Sequence, residues 1–388
     1  GTYNLFIYAL GYEIVNRSFT IEDSSITATV SMEPLNREMT EVAVIAQRDK
    51  LFSMQRLRQV EGTSIFAGKK NEVISLNQMT VNTSSNNARQ IYSQISGLNI
   101  FDSNDAGLQL NIGGRGLDPN RSSNFNIRQN GYDISADVLG YPESYYTPPA
   151  EALSEIQVIR GAASLQYGTQ FGGLVNFKMK KPNRNEPLEF TTRNSAGSNS
   201  LFTTHNSVSG TTGNVGYYGY YNRKEGDSFR PNSGFKSDNI YLYTDYSLGE
   251  KTTLSADFTY LYYLAQQPGG LTDAQFNSNP TFSNRTRNWF EVDWKLASAK
   301  IEHRFSYQTR LSILAYGLDA SRKSVGFRTN RVSQQDDLDA PRDLIVGQFN
   351  NWGTEARFLH RYSIGDKNSV LLLGSKFYKS DNTSRQGP

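Results

Sequence analysis

Thr252-Thr253-Leu254-Ser255-Ala256-Asp257-Phe258-Thr259-Tyr260-Leu261-Tyr262-Tyr263-Leu264 changes polarity at almost every step. Leu254, Ala256, Phe258, Tyr260 and Tyr262 share one face of an extended chain, and Ser255, Asp257 and Thr259 share the other. A period of two belongs to a β-strand, so this stretch predicts a strand with one apolar and one polar face.

Working outward, the same texture runs from Pro187 to the C-terminus. Nine segments show it: 188–197, 201–210, 214–223, 237–247, 252–264, 289–304, 308–321, 351–364 and 368–380. Ile240, Leu242, Tyr246 and Leu248 oppose Asn239, Asp245 and Ser247, and Phe290, Val292, Trp294 and Leu296 oppose Glu291, Asp293 and Lys295. Tight connections (Thr211–Gly213, Gly249–Lys251, Ser306-Tyr307, Gly365–Lys367) take turns with long polar ones (Lys224–Lys236, Ala265–Asn288, Arg322–Asn350). Short turns on one side and long loops on the other are the layout of an outer-membrane β-barrel. A soluble all-β sandwich or propeller is the alternative. Strands this long, with aromatics near their ends, favour the membrane over an ordinary sheet, whose strands average ~5–6 residues.

Composition agrees. Only 37% of the 388 residues are hydrophobic, yet 21 Phe, 23 Tyr and 3 Trp are present. A disordered chain would lack those aromatics. Apolar runs such as Val370–Leu373 are far shorter than the ~20 residues of a spanning helix. The absence of cysteine excludes disulfide scaffolds and thiolate sites, and suits an oxidising compartment such as a periplasm. Lys+Arg 40 against Asp+Glu 37 is too balanced for a nucleic-acid binder.

Upstream, residues 1–36 alternate as strands, with Tyr3, Leu5 and Ile7 on one face and Ile21, Ile26, Ala28 and Val30 following. They predict the end of a small β-sandwich, and a start in mid-domain. Residues 37–50 read as a linker carrying the apolar run Val42-Ala43-Val44-Ile45-Ala46. That run is either one more strand or a segment that adds to a partner's sheet edge. Residues 51–186 read as a compact α+β domain. Asn86 or Asn87 caps a short helix over Ala88–Ser96, and strands fall at Leu108–Ile112, Phe125–Arg128, Glu155–Ile159 and Gly172–Phe177.

Catalytic motifs are missing. His205, His303 and His360 have no metal-site spacing, and Gly62–Lys70 is one residue too long for a phosphate-binding loop. Arg115 and Arg160 stand out instead, each before a glycine inside the compact domain. They read either as surface arginines beside turns or as ion-pair partners of carboxylates on a surrounding wall, breakable as a gate requires.

Four motifs follow in order: Gly113-Gly114-Arg115-Gly116-Leu117-Asp118-Pro119-Asn120, Arg128-Gln129-Asn130-Gly131, Ile156-Gln157-Val158-Ile159-Arg160-Gly161-Ala162-Ala163-Ser164-Leu165-Gln166-Tyr167-Gly168, and Gly172-Gly173-Leu174-Val175-Asn176-Phe177. Together they resemble the plug of TonB-dependent outer-membrane receptors, most of all the ferric dicitrate group. One departure is Asn130-Gly131, where that family usually has Asp-Gly. The resemblance implies a mainly β chain: the end of a carboxypeptidase-regulatory-like extension of Bacteroidetes type (1–36), a linker with a TonB box (37–50), a plug (51–186) and the first part of a transmembrane barrel (187–388). The box would be Thr40, Glu41, Val42, Ala43, Val44 and Ile45.

It also implies a mechanism. The plug fills a barrel too wide for side chains alone. Ligand binds where the plug apex meets the outer loops, the box is exposed, and TonB with ExbB-ExbD pulls on it. The function implied is energised uptake of a ferric chelate, citrate-like or another siderophore, with iron only as part of the cargo and no cofactor or enzymatic step. Outer-membrane lipids and lipopolysaccharide surround such a barrel. Oligosaccharide or peptide import with a surface lipoprotein, and a non-transporting receptor or scaffold, are the alternatives. Apex positions are Asn104, Asp105, Tyr141, Glu143, Ser144, Tyr145 and Tyr146. The long connections carry Arg223, Arg230, Arg285, Arg287, Arg328, Arg331 and Arg342, whose forks suit carboxylates. A plugged barrel of this kind takes about 22 strands, and 188–388 has room for about nine, so the sequence reads as a receptor truncated at both ends.

Overall fold

The structure is a computed structural model that describes residues 2–7, 15–20, 29–31, 54–67, 70–76, 79, 81–101, 107–160, 166–168, 171–329, 331–365 and 367–387. Two compact units divide the chain, Gly1–Leu51 and Phe52–Pro388. In the first, β1 (Thr2–Ile7) and β2 (Val15–Thr20) form an antiparallel hairpin. The TonB-box segment Thr40–Ile45 lies outside the described residues, as do Asn104, Asp105 and 161–165.

The second unit opens with the α+β region. Its main sheet has the order β10-β9-β12-β11-β6-β3, built from β3 (Met54–Gln55), β6 (Asn71–Ser75), β9 (Phe125–Gln129), β10 (Tyr132–Asp133), β11 (Leu153–Ile159) and β12 (Gly173–Met179). Only β9 and β12 run parallel. Two small hairpins flank it: β4 (Val60–Glu61) with β5 (Ser64–Ile65), and β7 (Leu98–Phe101) with β8 (Asn111–Gly114). Helix α1 is shorter than its pattern suggests, Ala88–Tyr92, with Asn87 accepting from the Gln90 amide as N-cap. The β9–β10 turn is Asn130-Gly131, with φ of 48° and 94°. Both residues need positive φ, which is why an Asn-Gly pair sits there.

Around this region runs a meander of nine antiparallel strands, each paired to the next. They are β13 (Glu189–Ala196), β14 (Phe202–Thr212), β15 (Val215–Gly226), β16 (Phe235–Leu248), β17 (Thr252–Gln266), β18 (Trp289–Arg304), β19 (Thr309–Gly326), β20 (Asp343–Ile364) and β21 (Lys367–Gly387). A capped turn of helix, α2 (Asp273–Ser278), lies in the loop between β17 and β18.

The direction of each face decides between the two readings of the pattern. In β17 the apolar face points away from the α+β region: Leu254 and Phe258 are 37% and 40% exposed, while Thr259 and Asp257 on the polar face are 0% and 8% exposed. The same inversion holds in β16, where Leu242 and Leu248 are exposed and Asn239 and Asp245 buried. A soluble sandwich would bury the apolar face. A wall with its apolar face outward and its polar face on a packed interior is a membrane barrel wall.

In β18 the polarity changes side along the strand. Phe290, Val292, Trp294 and Leu296 point inward and are buried, with Glu291, Asp293 and Lys295 outside. Four residues on, Ile301 is outward and exposed while Lys300 and Glu302 line an interior cavity. The apolar face of the upper half therefore serves the interior and that of the lower half the lipid. The switch marks where the wall leaves the membrane.

Candidate functional site

The plug meets the wall through two chemically different flanks. On one, neutral groups pair. Tyr132 donates to Asp257 at 2.5 Å, Gln129 to Thr259 at 3.0 Å, and Asn130 to the Tyr241 hydroxyl at 3.0 Å. On the other, charges pair. Arg128, with no exposed side-chain surface, reaches Asp133 at 2.9 Å and wall residue Glu355 at 3.2 Å, and lies over the Tyr167 ring. Lys376 on β21 pairs with Asp133, and Arg357 with Glu355 at 2.7 Å. Burial alone would push the Asp133 carboxyl up, but Arg128 and Lys376 hold it below the usual carboxylate range. A third contact joins Arg193 of β13 to Glu151 at 3.2 Å.

Arg115 and Arg160 are placed differently. Arg160 pairs within the plug, with Glu72 at 3.2 Å and the Ser96 carbonyl at 2.5 Å. Arg115 is exposed at φ 59°, with no ion pair among the described residues.

The apex lies level with the upper halves of β17–β20. Tyr141 stacks on Phe349 at 5.5 Å, and Tyr145 packs on Phe290 and Trp294 at 5.7 and 5.8 Å. Tyr145 donates to Glu143 at 2.6 Å, and burial raises its hydroxyl far above the ordinary range, so it stays a donor. Ser144 and Tyr146 are buried beneath, Ser144 bonded to the Tyr146 carbonyl. Both serve packing under the apex rather than its open surface.

Three arginines converge above. Arg121 from the plug pairs with Glu143 at 3.1 Å and lies over the Tyr145 and Phe290 rings. Arg322 from β19 donates to the Tyr141 hydroxyl at 3.2 Å. Arg328 stands two residues beyond β19. Partial burial, then repulsion from Arg322 and Arg121, hold its guanidinium below the ordinary value, with Asp343 opposing. Glu143 balances Arg121, and the surplus cations create a place where an anion is electrostatically welcome.

The other loop arginines tie loops together. Arg287 grips Asp336 through two nitrogens at 2.7 and 2.8 Å, and Arg285 donates to the Gln334 carbonyl at 2.9 Å. Arg230 donates to the Phe282 carbonyl at 2.8 Å. Arg223 belongs to β15 rather than to the following loop. It sits on the outer face between Glu225 (2.7 Å) and Asp238 (3.3 Å). Sequence reasoning missed Arg121, Arg322, Arg128 and Lys376. For Arg322 a signal existed: it keeps step with Leu314, Tyr316 and Leu318, the inward face of β19.

Residues 67–174 match the family model for the TonB-dependent Receptor Plug Domain. Among solved structures, the chain resembles the ferric citrate transporter FecA in its unliganded form, with a TM-score of 0.70 and 22% identity over 83% of this chain and 49% of that one. BauA, the ferric preacinetobactin receptor from Acinetobacter baumannii, gives a TM-score of 0.65 and 16% identity over 82% and 48%. The pyoverdine outer membrane receptor FpvA from Pseudomonas aeruginosa PAO1 gives 0.66 and 17% over 82% and 47%. The chain thus spans about half the length of these structures. It carries a receptor plug and nine described wall strands of a multi-pass outer-membrane β-barrel.

Proposed function

We propose that this chain belongs to a TonB-dependent outer-membrane receptor that takes up a ferric chelate bearing carboxylates, citrate-like or a related siderophore. The carrying observation is the apex, where Arg121, Arg322 and Arg328 meet beside Tyr141 and Tyr145. Guanidinium forks match carboxylates in shape and charge, and the aromatic floor excludes water from one side of the contact. An anionic chelate entering there relieves the repulsion among the three cations. The likeness to receptors named for ferric citrate, preacinetobactin and pyoverdine agrees with this class of cargo. No bond in the cargo changes. Arg128, Asp133, Glu355 and Lys376 hold the plug in the wall until an energising partner of the TonB–ExbB–ExbD type acts on a segment upstream of the plug, for which Thr40–Ile45 is the candidate.

The test uses the full-length receptor and ferric citrate as probe, with ferric pyoverdine and a neutral oligosaccharide beside it. Binding of a ferric carboxylate chelate that weakens on Arg322→Ala, with uptake lost when 41–45 is deleted, supports the reading. Binding of the oligosaccharide alone, or uptake indifferent to that deletion, overturns it.

A further inference from the structure

Two cavities lie one below the other along the inner face of β18–β20. The inner one, about 260 Å³, has charged rungs of wall on one side: Lys300 beside Leu314 and Glu355, then Glu302 beside Ser312 and Arg357. Its plug side is a row of amides, where Asn176 donates to Gln157 at 2.8 Å and accepts from the Gly131 amide at 2.9 Å. The lower one, also about 260 Å³, is lined by Lys251, Thr253, Arg304 and Arg310, close to the tight turn at Gly249. Gly62, Thr63 and Glu302 line both. The tip of the β4–β5 hairpin is therefore the partition between them.

That hairpin is held lightly and by few groups. Its ladder is two residue pairs long. Ser64 accepts from Tyr167 at 2.7 Å and from wall residue Arg357 at 3.0 Å. Ile65 exchanges two hydrogen bonds with the Gln166 side chain, at 2.8 and 3.3 Å. Phe66 anchors it in a satellite core with Leu57, Val73, Ile159, Tyr167 and Leu174, separate from the main core. Such a unit opens without the rest of the plug, because its contacts are few and mostly its own. It also directly follows the N-terminal end of the plug, so tension arriving along the chain reaches it early.

We propose that the route of a hydrophilic solute to the periplasmic side runs along this strip of wall, through the inner cavity, and that withdrawal of the β4–β5 hairpin joins the two cavities into one passage. The inner cavity is then a transit site for a charged, hydrated solute. Its cations Lys178, Lys300 and Arg357 face its anions Glu61, Glu302 and Glu355, so no single sign of charge traps the cargo. The proposal rests on the transport reading above for its cargo, but the partition itself is testable without any ligand.

In the full-length receptor, Ser312→Cys places a thiol in the inner cavity, and Thr259→Cys places one under the neutral flank of the plug. Phe66→Ala removes the hairpin's anchor. Labelling by a small impermeant maleimide is expected to rise about tenfold at position 312 and to stay unchanged at position 259. No change at 312, or an equal rise at both, overturns the proposal. If Phe66→Ala fails to fold, Tyr167→Phe, which removes one bond to Ser64, is read the same way. A second arm joins Thr63→Cys to Ser312→Cys with a reducible bismaleimide and follows ferric citrate in cells. Surface binding kept, uptake lost and uptake restored on reduction support the partition, and uptake through the tethered receptor overturns it. If ferric citrate is not bound at all, the reading of the cargo fails, while the labelling still decides the partition.

Discussion

Arg128 of the plug and Glu355 of the wall, 227 residues apart in sequence, meet at 3.2 Å with almost no solvent around either. A buried pair of this kind adds little over an apolar substitute, but breaking it leaves a carboxylate stranded. Arg128→Met is therefore expected to destabilise plug docking by about 3–5 kcal/mol. The double variant with Glu355→Gln should recover part of that, with a coupling of ~1–3 kcal/mol. Denaturant unfolding of the full-length receptor, followed by a probe on the plug, measures it. Purely additive losses would show that the two residues do not act on each other.

The same cluster predicts a pH dependence. Asp133 has a folded-state pKa held below its unfolded value by Arg128 and Lys376. A depressed carboxylate contributes stability that is present above the unfolded value, about pH 4, and is lost as pH falls through the folded value. In Arg128→Met that contribution is diminished from the outset. The stability gap between parent and variant should therefore be widest near neutral pH and narrow below about pH 4. A gap independent of pH would remove Asp133 from the account.

At the apex, Arg322→Ala deletes the donor to Tyr141 and one of three converging cations. Affinity for a ferric carboxylate chelate should fall about tenfold, roughly 1.4 kcal/mol. Arg322→Lys should recover only part, since an ammonium keeps the charge but not the fork. Arg223→Ala is the internal control, because Arg223 faces outward between Glu225 and Asp238. Equal effects at 322 and 223 would mean that charge acts at long range rather than through the apex.

The wall was largely legible in the sequence because lipid on one side and plug on the other impose a strict period of two. Trp289–Arg304 was predicted to the residue. The start of β20 was not: the strand begins at Asp343, eight residues before its expected start at 351. Above the membrane both faces of a strand touch water or loops, so the alternation fades. The apex was legible only in part. Tyr141, Glu143 and Tyr145 gather where expected, yet Arg285 and Arg287 hold neighbouring loop segments. A long loop supplies carbonyls and carboxylates close to any arginine it carries, and only three-dimensional register separates those arginines from Arg322.

That loop tie leads to a prediction of its own. Arg287 joins the β17–β18 loop to the β19–β20 loop through Asp336 and the Asp337, Leu338 and Ala340 carbonyls. Arg287→Ala should leave plug docking unchanged and speed protease cleavage within 331–342. Lysine at this site should protect only partly, because it cannot span both carboxylate oxygens at once. Unchanged cleavage would show that other contacts hold the two loops.

The Asn130-Gly131 turn can be separated into its backbone and side-chain roles. At φ 48°, Asn130 occupies a region that most side chains resist. Its side chain also accepts from the Met179 amide at 3.1 Å and donates to the Tyr241 hydroxyl at 3.0 Å. Asn130→Ala loses both bonds and the left-handed tolerance, at an expected cost of about 2–3 kcal/mol. Asn130→Asp keeps that tolerance and the acceptor for Met179, and the Tyr241 hydroxyl can turn to donate instead. It also brings a carboxylate toward Asp257, which already accepts from Tyr132 at 2.5 Å. The aspartate variant should therefore approach the parent's stability at mildly acidic pH and fall behind as pH rises. Thermal unfolding of both variants across pH measures the difference. An aspartate variant as damaged as the alanine one at every pH would place the whole effect in the lost amide donor.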